Sequence, residues 1–124
     1  MGMDVRESLE AAGSETFEVE IKGHKIQGHL LDIREELMVS SITKDWDKTS
    51  GKNTAIKTAT FALGADYIDG EPFYLDATDM YEVEARKRFE KACHFMRSVV
   101  DLWFETYTVK LADQIENLSE LKKN

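Results

Sequence analysis

The sequence predicts an α+β fold, mainly α: an N-terminal β-hairpin packed on a small helical body with a long C-terminal helix. Three observations predict it. Apolar residues alternate strictly at Phe17, Val19 and Ile21, the period of a half-buried strand. At Asp32 the period changes to the spacing of helices. From about residue 79 to about 121 apolar residues recur at that helical spacing, which makes the last helix the longest element.

A chain of 124 residues is one domain's worth of polypeptide, with 42% hydrophobic and 32% charged residues. That balance suits a single globular domain over 15–124, preceded by a polar lead-in at 1–14 that is expected to be mobile. Its 16 basic residues against 24 acidic ones leave a formal net charge of -8. Such a surface repels a phosphate backbone, so nucleic acid is not an expected partner. No run of 18 residues is apolar throughout, and no membrane partner is expected either. The single cysteine, Cys93, excludes an internal disulfide and asks for no oxidising compartment. The first ten residues hold no apolar run of signal-peptide length, and Arg6 stands where a myristoylation signal wants Ser or Thr.

Taken in order, the hairpin should cover about 16–31. Phe17, Val19 and Ile21 face the core, K-G-H-K makes the turn with Gly23 free to take a positive φ, and Ile26, Gly28 and Leu30 return. A helix follows over about 32–44, with Asp32 as N-cap and Glu35 at capping-box spacing. The polar stretch D-W-D-K-T-S-G-K-N at 45–53 is expected to be a loop. The next helix, about 53–64, carries Ala55, Ile56, Ala59, Ala62 and Leu63 and stops near Gly64. Y-I-D-G-E-P-F at 67–73 holds a D-G turn and the only proline, and is expected as a short extended connection. The last helix should begin near Asp79, with Glu82 in the capping-box position, and run to about Leu121. Its length makes a bend or break near Tyr107 or Leu111 plausible.

The last helix carries an apolar arc wider than a small core requires. Phe89, Cys93, Met96, Val100, Trp103, Phe104, Tyr107, Leu111 and Leu118 fall within one arc and are expected as core. Beside them runs a second line of Phe95, Val99, Leu102, Thr106 and Val109. Either this helix is central and covered on most sides, or its second line meets another subunit; pattern leaves both open.

No chemistry announces itself. His24, His29 and His94 lack metal-ligand spacing and are expected as ordinary surface or boundary residues. G-K-N-T at 51–54 fails as a phosphate loop, because Trp46 stands where the first Gly belongs and Asn53 follows the Lys. The D-W-D-K-T-S-G run fails as a calcium loop, with Gly51 one place late and Ile56 where the bidentate Glu is required. Cys93 lies on the core arc and should be an inert buried thiol. Ser40 and Ser41 have no nucleophile-elbow context, and no carboxylate is marked as buried by pattern. The expectation is therefore no enzyme, no cofactor and no metal.

The order of elements resembles the tail assembly chaperones of long-tailed bacteriophages. The resemblance covers about residues 17–121 and rests on the strand run F-E-V-E-I-K, the helix start L-L-D-I-R-E-E, the passage into Y-I-D-G-E-P, and the helix V-V-D-L-W-F-E-T-Y. It is a likeness of layout more than of motif. It implies a non-enzymatic protein of the infected host cell's cytoplasm that coats the tape measure protein, keeps it soluble and helps recruit tail tube protein. Such chaperones are often also made in a longer, frameshifted form, and the closing L-K-K-N can be encoded by an adenine run. A structural virion protein of the tail, baseplate or connector, retained in the particle, is the alternative. A tape measure protein is long, helical and apolar along one face, so its holder must offer apolar surface while net charge keeps it dispersed. The expected contact residues are Phe95, Val99, Leu102 and Val109, with Trp46 as a loop anchor, and the same residues could build a homo-oligomer.

Overall fold

A computed structural model describes residues 15–73 and 82–123, with side chains described as far as 117. It is α+β and mainly α. The elements are β1 (Thr16–Ile21), β2 (His24–His29), α1 (Ile33–Ile42), a 3-10 turn (Lys44–Trp46), α2 (Lys52–Gly64), β3 (Ala65–Ile68), β4 (Glu71–Pro72), α3 (Glu82–Ala92) and α4 (Arg97–Lys123). The expected lead-in at 1–14 and the expected helix start at Asp79 lie outside the described residues.

The hairpin forms in the register that alternation demands, from Thr16 opposite His29 to Ile21 opposite His24. Lys22 and Gly23 both take positive φ, 54° and 81°, as a two-residue turn between twisted strands requires. The Y-I-D-G-E-P-F connection does more than expected. Asp69 and Gly70 repeat the same turn, with φ of 52° and 82°, so β3 and β4 form a second hairpin. The result is one antiparallel sheet in the order β1-β2-β3-β4. Pro72 fits there because it pairs with Tyr67 on the outermost strand, where a ladder position without an N–H is tolerated.

Asp32 caps α1 as its spacing predicts: its carboxylate accepts the Glu35 N–H at 2.8 Å, and the Glu35 carboxylate accepts the Asp32 N–H at 3.1 Å. The central helix is α2. Every residue from Ala59 to Ala65 is buried, and α1, α3 and α4 all pack on it. Its small residues make that close approach possible. An ideal Cβ on Gly64 would lie 2.6 Å from Trp103 Cη2, and one on Gly28 would lie 2.6 Å from the Gly64 carbonyl. Trp103, fully buried, fills the space those two glycines leave, with its ring 5.4 Å from each of Phe17, Phe61 and Tyr107.

The expected single last helix is two helices. The break falls at 93–96, earlier than Tyr107 or Leu111, and no proline or glycine marks it. The His94 and Phe95 N–H groups bond to Lys91 and Ala92 in tightened three-residue turns. The ring of Phe95 drops between Phe61 and Phe73, 5.2 and 5.4 Å away. This tertiary contact outweighs the helical preference of the sequence around it. The break also shifts the helical phase. Phe89, Val100, Trp103 and Tyr107 are buried as expected, but Cys93 and Met96 are exposed.

Candidate functional site

Three helices leave an apolar groove of about 230 Å³ between them. Leu31 and Val39 line it from the α1 side, Ile56 and Thr60 from α2, and Phe104 and Tyr107 from α4, with Glu36 at the rim. The helices meet there because each turns an apolar stripe inward at a crossing where side chains cannot fill all the space. Tyr107 ties the groove together: its hydroxyl accepts the Leu31 N–H at 3.2 Å, joining α4 to the junction of β2 and α1. Burial pushes the Tyr107 phenol up, against the opposing pull of the Leu31 N–H, so the hydroxyl stays protonated.

The groove continues onto α4. Phe104, Tyr107 and Leu111 step along one stripe, and Leu111 still packs on the core. Beyond it, from Ala112 to Asn117, every residue except Gln114 is exposed, and Ile115 is 60% exposed. Leu118 and Leu121 continue the three-and-four spacing in the sequence. From Ala112 to Lys123 the helix runs on for about 18 Å, at about 1.5 Å per residue, and at least its first half stands clear of the body. On α1, Ile33 and Leu37 stand one turn apart and are 77% and 66% exposed.

A charged clamp joins β2, β3 and the start of α1. His29 on β2 lies between Asp66 of β3 and Glu35 of α1; its Nδ1 meets Asp66 Oδ2 and its Nε2 meets Glu35 Oε2, each at 2.8 Å. The Asp66 hydrogen bond, followed by that of Glu35, raises the imidazole from 6.5 to about 10 against the opposing cost of burial. His29 is therefore an imidazolium donating from both nitrogens. Neither nitrogen is left for proton shuttling or metal ligation. The two carboxylates grip opposite edges of the ring and do not converge on one point. Among the described residues, no group of three His, Cys, Asp or Glu side chains could hold a metal ion. The expectation of an ordinary boundary histidine is corrected here: 29, 35 and 66 look unrelated in sequence, and only the β2–β3 pairing and the α1 cap bring them together.

His24 makes a lesser version of this contact. Its Nδ1 pairs with Asp69, which also accepts the Lys25 N–H at 2.9 Å and so pins the two hairpin turns side by side. The His24 hydrogen bond, then that of Lys25, holds the Asp69 carboxyl below its ordinary value. Cys93 is corrected from buried to exposed; the burial it retains, with Glu90 nearby, pushes the thiol up and away from thiolate chemistry.

The five residues expected to make contacts do not form one surface. Phe95 is half-buried inside the aromatic cluster and Val99 is packed against the core, so these two are internal. Leu102 and Val109 are 49% and 56% exposed, two turns apart on the outer face of α4, away from the groove. Trp46 is 37% exposed, with its ring 5.5 Å from Phe89. The helix break separates Phe95 from the rest of its line. The groove residues were passed over because they belong to the stripe expected to be wholly core; their one legible signal was that the stripe runs on past Leu111 to Leu121.

No helix among the described residues is long and apolar enough to cross a membrane. Comparison with protein-family models, with curated proteins and with solved structures finds no match.

Proposed function

We propose that this protein is a non-enzymatic assembly chaperone that holds a helical segment of its partner along the groove and the projecting part of α4. The observation that carries this reading is the apolar stripe of α4, covered by the body at Tyr107 and left open at Ile115. A helix laid there would bury apolar surface at both ends of the stripe, the mode by which grooves take amphipathic helices. The net charge of -8 keeps such a surface dispersed while it is unoccupied.

The resemblance in layout to phage tail assembly chaperones names the partner: a tape measure protein, with tail tube protein recruited to the complex in the host cytoplasm. Its test is co-expression with a fragment of a phage tape measure protein. The intact chain should keep the fragment soluble, and Ile115→Glu, on the open end of the α4 stripe, should lose that ability while retaining the fold. If this variant holds the fragment as well as the wild type does, the reading fails. Stoichiometric protein in finished particles would instead favour a structural virion component.

A further inference from the structure

The two edges of the sheet are finished differently. At one edge stands β4, two residues long with Pro72 in it, which blocks further pairing. At the other stands β1, six residues long, with no proline and no irregularity in its ladder with β2. Ile21 and His24 flank the two-residue turn and so exchange hydrogen bonds with each other. Counting back in steps of two, Val19 and Phe17 also point their backbone groups at β2. The Leu30 N–H to Glu15 carbonyl bond, at 2.8 Å, continues that inward set. Thr16, Glu18 and Glu20 therefore turn their N–H and C=O groups to the open side. Among the described residues nothing pairs there, because β1 ends the strand order.

The side chains of Glu18 and Glu20 flank that open ladder, both exposed. Among the described residues neither is ion-paired. A second copy of β1 is a poor occupant. The antiparallel registers that pair the most residues set Glu18 against Glu18 or Glu20, and like charges directly opposite are destabilising. An incoming strand with lysine or arginine at every second position has the opposite preference: its backbone completes the ladder and its cations face both carboxylates.

We infer that the outer edge of β1 is a docking site for an extended, alternately basic segment of a partner protein, added as a fifth strand through Thr16, Glu18 and Glu20. The site is separate from the groove and does not depend on it.

The test titrates the full-length protein with a short synthetic peptide alternating lysine with threonine, following backbone amide exchange. Saturation should slow exchange at Thr16, Glu18 and Glu20 by about tenfold or more and leave β4 unchanged. Glu18→Pro removes only an outward N–H, so it should keep the fold and weaken the peptide by at least about tenfold, or about 1.4 kcal/mol. The double variant Glu18→Lys, Glu20→Lys should exchange its preference for a peptide alternating glutamate with threonine. Saturating peptide that leaves the three amides unprotected would overturn the proposal, showing surface attraction without strand addition. So would undiminished binding to a folded Glu18→Pro protein, an unchanged preference in the double variant, or no binding at all.

Discussion

His29 gives the protein a stability that should fade in alkali. Its imidazolium is held to about 10 in the folded chain and returns to an ordinary 6.5 when the chain unfolds. Below 6.5 both states carry the proton and the clamp contributes fully. Between 6.5 and about 10 only the folded state keeps it, so stability falls as pH rises. At about 1.4 kcal/mol per pH unit the whole interval has an upper limit of about 5 kcal/mol. The side chains of His29 and Asp66 are 20% and 29% exposed, and water screens part of the attraction. We expect about 2 kcal/mol to be measurable. Urea unfolding at steps across that range, on the wild type and on His29→Gln, isolates it, because the difference between the two curves removes whatever the proteins have in common. The wild type should start more stable and lose its advantage as pH approaches 10. Parallel stability curves would show that the clamp does not hold its proton, and the argument from its geometry would fall.

Leu102→Glu should leave the thermal midpoint within a few degrees of wild type, because the side chain is 49% exposed on the outer face of α4. Val100→Glu should unfold the domain, since Val100 is buried and a carboxylate there must be stripped of water; equal melts for the two variants would place both on one kind of surface. Gly64→Ala should cost about 1–3 kcal/mol, the usual range for overpacking, because its methyl would meet the Trp103 ring at 2.6 Å. Chemical denaturation measures it, and an unchanged midpoint would mean that Trp103 moves aside freely.

Much of the fold was legible because period and punctuation agree. Alternation at Phe17, Val19 and Ile21 set the hairpin, Asp32 with Glu35 set the start of α1, and Gly64 ended α2. Two features were not legible for definite reasons. The break at 93–96 has no helix breaker in it; it exists because Phe95 finds Phe61 and Phe73, partners far away in sequence. The β3–β4 hairpin is so short that one D-G turn and a proline resembled a connection rather than a pair of strands. The candidate site was less legible than the fold. The clamp joins residues 29, 35 and 66 through a strand pairing and a helix cap at once, and no spacing rule encodes such a meeting. The groove exists only as the gap between three stripes, each of which looks like core by itself.

The passage from α2 to β3 has a consequence for how this chain tolerates changes in length. The helix ends at Gly64 and the strand begins at Ala65, with no residue between. One inserted residue would turn the helix by about 100° relative to the strand, or else exchange the two faces of β3. In the first case Gly64 would leave its place beside Trp103; in the second Asp66 would swing off His29 and Tyr67 would turn inward. The polar segment at 47–51, between the 3-10 turn and α2, is exposed along most of its length and carries no such phase relation. Insertions and deletions should therefore accumulate there and be purged at 64–65. Length variation along the chain would then trace the outline of the rigid unit that supports the groove.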